Sequence, residues 1–258
     1  MAITLATSLL IICSVFFTSI LSGVLGMAGG MVLMGILVWF LPVQQAMVLH
    51  AIAQFFANGS RAFIHRKHIF TKTLPHYFAG LGLVLCVFTL IAVLPDKITV
   101  FALLGVLPFA AFFMPKKVAL DFTRPLHAFF AGTLVTALQL TGGVAGSSLD
   151  IFFQTRKLTR HETVATKAFT QSVSHVTKFA YFGFIVSASA ASSIGALPLW
   201  LCIGVVPAAM FGSHLSKYIL ARLTDAHFYK ATQAVLFTVG TVYLFRAISL
   251  WMQNGQGG

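Results

Sequence analysis

Carboxylates are almost missing from this chain. Five Asp and Glu stand among 258 residues, and only 9% of positions carry charge. A soluble domain averages about 25% charged residues, so this scarcity excludes a surface that faces water on all sides. Basic residues are absent before Arg61. That excludes the basic n-region of a signal peptide, and the first apolar run continues to Phe40, too long for an h-region; the segment is expected to be retained. Cysteine is scarce too. Cys13, Cys86 and Cys202 sit in apolar runs with no metal-ligand spacing between them, and are read as small buried packing residues. No nucleotide-binding motif, low-complexity linker or soluble domain is found.

What remains is apolar. The chain is 58% hydrophobic, with a mean hydropathy of +0.92 and 26 Phe, which reads as lipid-facing and packing mass. The formal charge of +12 is not a nucleic-acid footprint, because basic residues of membrane proteins collect in cytoplasmic loops. A spanning helix needs about 20 apolar residues. Candidate segments are 4–41, 44–64, 74–94, 98–114, 125–154, 162–186, 194–216 and 227–251, with a polar tail over 253–258 expected to fray. Pro42, Pro75, Pro95, Pro125 and Pro198 punctuate them. Pro108 and Pro207 lie inside segments, where membrane helices tolerate a kink.

Gly26-Met27-Ala28-Gly29-Gly30 recurs as Gly143-Val144-Ala145-Gly146-Ser147, 117 residues later. At the same offset His50, Gln54, Asn58 and Arg61 fall opposite Lys167, Gln171, His175 and Lys178. The spacing i, i+4, i+8, i+11 puts each set on one helix face. Each glycine break interrupts a segment too long for one straight span. Fourteen of the 17 basic residues lie in or beside the stretches after segments 2, 4, 5 and 7. With those stretches in the cytoplasm, segment 5 starts and ends inside and must be a hairpin. Segment 1 is then the opposite hairpin. The predicted fold is an all-α polytopic membrane protein of two inverted repeats, 1–118 and 119–252, each a broken or re-entrant hairpin followed by three spans. Both termini lie on the non-cytoplasmic side.

A glycine break lets backbone approach a ligand, and the helix that restarts offers free N–H groups and a positive dipole end that suits an anion. Close helix packing would need the same small residues. Gly29, Gly30, Gly146, Ser147 and Ser148 are the candidate donors at the tips. Gln54, Asn58, Gln171 and His175 are candidate side-chain contacts, with interhelical hydrogen bonding as the structural alternative. Lys167 or Lys178 would offset an anion's charge, and Lys178 could instead reach the outer interface. Arg61 could snorkel to its end of the helix. Asp150 could pair with Lys167 or Lys178, carry a proton, or mark the cytoplasmic end of its hairpin. A free imidazole titrates near neutral pH, so His50 and His175 could couple protons, with hydrogen-bonded packing as the alternative. With Arg61, Asp150 and Lys178, His50 is a candidate for coupling or charge balance. His65-Arg66-Lys67-His68 reads as a solvated loop cluster.

These residues resemble the TauE/SafE-type sulfite exporter (TSUP) family. The likeness lies in Gly26 to Gly30, Ala46 to Arg61 with His65-Arg66-Lys67-His68-Ile69, Gly142 to Gly146, and Glu162 to Lys178. It extends to Gly204 and Gly212 followed by Leu215 to Leu223. Family members often carry a third glycine where Ala28 and Ala145 stand, a proline near Gly35, and small residues where Leu49-His50 and Thr166-Lys167 stand. The resemblance implies transport of small anions, typically sulfite, thiosulfate, sulfonates or sulfoacetate-like compounds. The charge of Lys167 would favour a multiply charged or carboxylated anion.

The expectation is therefore a secondary transporter working by alternating access around a site between the repeats. It would sit in a bacterial inner membrane, with a small anion and the bilayer as partners, as a possible homodimer. No cofactor, metal or nucleic acid is called for, and coupling would be to protons or the membrane potential. An anion channel is one rival. A membrane-embedded enzyme acting on a lipid phosphate is another, but it needs a carboxylate or nucleophile cluster, and only Asp150 stands near a break.

Overall fold

A computed structural model describes residues 3–25, 28–113, 120–155, 157–189, 197–220 and 225–255. Among them every regular element is helical. The first long segment is two helices, α1 (Leu5–Leu25) and α2 (Ala28–Phe40), broken at the glycine motif. Gly26 and Met27 themselves lie outside the described residues. There follow α3 (Val43–Ile64), α4 (Leu74–Ile91) and α5 (Lys97–Phe113). The second long segment is likewise split, into α6 (Pro125–Thr141) and the short α7 (Gly146–Asp150), which runs on as a 3-10 turn to Phe153. Next comes α8 (Arg160–Ala180), a π-helical stretch Tyr181–Ile185 and α9 (Val186–Ser189). Finally α10 (Leu199–Leu220) and α11 (Asp225–Gly255) complete the order. The Lys116, Lys117, Arg156 and Arg222 positions used in the loop-charge argument, and part of the 187–193 turn, lie outside the described residues.

Local chemistry explains the boundaries. Pro75 and Pro125 occupy first-turn positions of α4 and α6, where a missing N–H costs nothing. Thr159 and Glu162 close a capping box at the start of α8. Gly143, between α6 and α7, has φ +76°, a conformation open to glycine at little cost. Pro108 and Pro207 sit inside continuous helices. The tail departs from expectation: α11 continues through Gln253 and Asn254 to Gly255 rather than fraying at 253.

Polarity is distributed inside out. Leu90, Phe113, Leu199, Phe245 and Trp251 project outward, whereas Gln44, His50, Gln54, Gln139, Gln171, His175 and Lys178 are buried. Only lipid makes that arrangement favourable, because apolar side chains then need no burial while backbone and polar groups must be satisfied within. Helices α1, α4, α10 and the Lys230–Gly255 part of α11 are long and apolar enough to cross a membrane; α2 and α5 are shorter apolar helices. The polar α3 and α8 form the interior and pack on each other. The cysteines correct an expectation. Cys13 and Cys86 are exposed, and Cys202 is only partly buried; a thiol is as apolar as its neighbours and is tolerated against lipid.

The dominant helix pairs are α1 with α10, α4 with α6, α3 with α8 and α5 with α11. Glycine permits the first two. A Cβ at Gly212 of α10 would overlap the Phe16 carbonyl, and a Cβ at Gly132 of α6 would overlap the Tyr77 carbonyl of α4. Small residues of this kind let membrane helices approach closely.

Candidate functional site

Both polar stripes face one space. A cavity of about 1470 Å³ is walled by α3, α8 and α10, with Gly30 and Gly146 from the two breaks. From the first stripe, His50, Gln54, Asn58 and Arg61 line it; from the second, Lys167, Gln171 and His175 do. Arg160, His214 and Lys217 lie toward its mouth, where the C-terminal ends of α3 and α10 meet the N-terminal end of α8. Among the described residues lining it there is no carboxylate. A cavity with walls of one sign concentrates ions of the other.

The two glutamines that share a repeat position also share a condition. Gln54 and Gln171 are each 3% exposed, and the side-chain nitrogen of each lacks a hydrogen-bond partner. An unsatisfied buried amide nitrogen costs about 1–3 kcal/mol, and here both border the cavity. The Gln54 carbonyl accepts from the Asn58 amide at 3.4 Å. Asn58 Oδ1 in turn accepts from Arg61 at 2.9 Å. Arg61 therefore stays beside the stripe instead of snorkelling away. His175 Nδ1 and Gln139 Nε2 are hydrogen-bonded at 2.8 Å, and the imidazole borders the cavity.

Behind the wall the two breaks are joined. His50 Nε2 donates to the Gly30 carbonyl at 2.9 Å, and His50 Nδ1 accepts from Lys178 Nζ at 2.7 Å. Lys178 Nζ also donates to the Gly143 carbonyl at 2.9 Å. Lys178 is fully buried and does not line the cavity, so it neither faces that space nor reaches the outer interface. The ring of His175 lies 5.5 Å from that of His50.

Several predicted positions lie outside this cavity. Gly29 packs against α1, where a Cβ would overlap Thr18 and Ser22 backbone. Ser147 and Asp150 face a separate small cavity near Leu25 and Met31. Ser148 is buried away from both cavities. Of the alternatives for Asp150, pairing with Lys167 is what occurs. The sequence reading missed Arg160, Ser213, Ser216, Lys217 and Gln139. Ser213, Ser216 and Lys217 do stand at i, i+3, i+4 after Gly212, a polar face on an apolar helix that could have been read.

Beyond the cavity lining, polar bonds gather around the π-helical stretch. Gln44, at the start of α3, donates to the Phe182 carbonyl at 2.9 Å and to Ser187 Oγ at 2.7 Å. The Tyr181 hydroxyl donates to the Val93 carbonyl at 2.8 Å. These bonds serve the π-helical stretch, whose widened turn frees carbonyls from the α-helical ladder.

Two loop carboxylates lie outside the cavity lining. Asp121, before α6, contacts Lys157 at 2.7 Å and accepts from Thr123 Oγ1 at 2.7 Å. Burial works to raise its carboxyl, but Lys157 and Thr123 outweigh it and hold the group at about 2. Glu162 is held below the usual range by the N–H and hydroxyl of Thr159.

A family model described as "Sulfite exporter TauE/SafE" matches residues 11–243. No curated protein and no solved structure matches the chain.

Proposed function

The chain belongs to the sulfite exporter TauE/SafE family, a family of membrane transporters rather than enzymes, and on that premise we propose that it moves a small sulfur-containing or organic anion by alternating access. Sulfite, thiosulfate, a sulfonate or sulfoacetate are the substrates of choice. The observation that carries this reading is the pair of repeat-equivalent amide nitrogens, Gln54 Nε2 and Gln171 Nε2, buried, without partners and bordering a cavity free of described carboxylates. Donors left open in a low-dielectric wall gain most from a ligand that only accepts. An oxyanion is such a ligand. His175, Asn58, Gly30 and Gly146 add contacts, and Arg61 and Lys167 supply positive charge at the rim.

The mechanism calls for two inverted repeats, residues 1–118 and 119–252, and the helix pairing supports that reading. Exchanging α1 for α6 and α10 for α4 turns the α1–α10 pair into the α6–α4 pair, while α3–α8 and α5–α11 map onto themselves. Rocking one repeat against the other would then move the cavity from one side of the membrane to the other. With basic loops in the cytoplasm of a bacterial inner membrane, the mouth beside Arg160 and Lys217 is cytoplasmic and both termini lie outside. The Gln44 and Tyr181 bonds form the closed outer side.

Proteoliposome counterflow tests this. Wild-type protein preloaded with sulfite, thiosulfate or a sulfonate should show trans-accelerated uptake of the labelled anion. Gln54→Ala and Gln171→Ala should each weaken anion affinity about tenfold, the loss of one hydrogen bond to a charged group. Flux without trans-acceleration would favour a channel. Wild-type affinity in both variants would reduce the stripes to structural glue.

A further inference from the structure

The stripes leave one pair of groups unused by substrate contact. His50 and Lys178 stand between the two breaks, from the Gly30 carbonyl through the imidazole and the Lys178 nitrogen to the Gly143 carbonyl. His50 is on the cavity wall, and Lys178 lies behind it with no exposure. No carboxylate among the described residues reaches either group. Asp150 pairs with Lys167, Asp121 with Lys157, Glu162 with the Thr159 cap, and Asp96 accepts from Thr99; the side chain of Asp225 lies outside the described residues.

We propose that the His50–Lys178 pair is a proton site that fills together with the anion, so that one proton accompanies each anion across the membrane. The inference rests on the anion reading of the cavity. Its ground is the donor count at Nζ. As an amine, Lys178 has two N–H groups, which satisfy the Gly143 carbonyl and His50 Nδ1. As an ammonium it has a third. The proton can thus arrive or leave without breaking the link between the breaks. The charge it adds is buried and unpaired, a costly state that an anion held by Gln54 and Gln171 across the His50 wall relieves. The proton comes from cavity water and rests on Nζ. It returns to water when the anion leaves.

The surroundings are limited in what else can titrate. Helix α2 and the α6–α7 turn offer backbone carbonyls, and α6 offers Gln139, which holds His175. The π-helical stretch offers Tyr181, whose hydroxyl is turned to Val93 and Phe88. Arg61, Arg160, Lys167 and Lys217 line the same cavity, as do His65 and His214 near the ends of α3 and α10, whose uptake would persist in Lys178→Arg. His175, on α8, is the one other imidazole against His50, so the experiment must separate the two.

The test is calorimetric titration of the purified full-length chain in detergent with thiosulfate and with isethionate, both fully ionised, at pH 6 and pH 8. Each is run in two buffers of different ionisation heat. Binding should be at least tenfold tighter at pH 6, with uptake approaching one proton, since one linked proton gives up to about tenfold per pH unit. Lys178→Arg, which keeps a fixed charge, should bind with no proton uptake and equal affinity at both pH values. His50→Gln should also lose the uptake, whereas His175→Gln should retain it. Thermal melts establish that each variant is folded. Equal wild-type affinity at both pH values without proton exchange overturns the proton site and leaves the anion site standing. Uptake that persists in Lys178→Arg overturns it as well. Failure of both anions to bind at any pH overturns the reading of the cavity, and this inference with it.

Discussion

The two stripes hold matching positions, yet they are anchored differently. In α3, Asn58 donates to Gln54 and Arg61 donates to Ala57 and Asn58, all within one helix. In α8, His175 bonds Gln139 of α6, Lys178 bonds His50 and Gly143, and Lys167 pairs with Asp150 of α7. Thr166 and Ser174 further tie α8 to the 69–73 loop and to Tyr77 of α4. From Gln54 to Arg61 the stripe side chains of α3 thus bond within their own helix, with Ser213 of α10 donating to the Ala57 carbonyl beside them, whereas the second stripe is fastened to its own hairpin and to its neighbours. The second stripe is therefore the more widely anchored of the two.

The comparison breaks most readily at the glycines. Gly143 has φ +76°, and a Cβ there would lie 2.7 Å from Met34 Sδ. Gly143→Ala should cost about 3 kcal/mol, adding left-handed strain to overpacking, and lower the melting temperature in detergent markedly. Gly30 is helical, and its Cβ would rest 3.4 Å from Gln54 Oε1. Gly30→Ala should fold normally but crowd Gln54 and weaken anion binding. Equal melting of the two variants would show that the second break is no more constrained than the first.

A smaller effect separates the stripes themselves. Gln139→Ala leaves buried His175 Nδ1 unpartnered and should destabilise by about 1–2 kcal/mol. Asn58→Ala removes bonds that its helix neighbours can replace with cavity water, and should cost about half as much. Melting curves of both variants check the order, and a larger loss for Asn58→Ala would reverse the anchoring argument.

Much of this was legible because a membrane helix advertises its ends and faces. Proline and glycine mark the breaks, and the i, i+4 spacing of His50, Gln54 and Asn58 marks the face turned inward. Periodicity reports a face, however, not the partner across from it. Gln139 stands alone in an apolar helix, and nothing near it in sequence points to His175. The sequence leaves Lys178 with several alternatives because the Gly143 carbonyl that receives it is created by a turn 35 residues away. Ser147 holds the repeat position of Gly30 but faces the small cavity, since the short α7 and the longer α2 leave their breaks with different lengths and packing. The cysteines turned outward because lipid and core are the same solvent to a thiol.

The smallest expected effect lies at the foot of the second hairpin. Asp121 and Lys157 stand just before α6 and just after its return, and the Phe122 N–H donates to the Phe152 carbonyl at 2.8 Å beside them. The first hairpin has no counterpart, because no charged residue precedes Arg61. The Asp121 carboxyl is held at about 2, below its ordinary 3.8. Its contribution is therefore present above the unfolded value and is lost as pH falls from about 4 through about 2. Lys157 is half exposed, so solvent screening limits the pair to about 1 kcal/mol or less. Asp121→Asn should lower the melting temperature slightly at pH 7, and the gap from wild type should narrow on acidification to pH 3, closing fully only below about pH 2. A gap that stays constant over that range would mean Asp121 acts through its Thr123 turn alone, and the second hairpin would then owe its firmer hold to the buried contacts of Lys178 and His175.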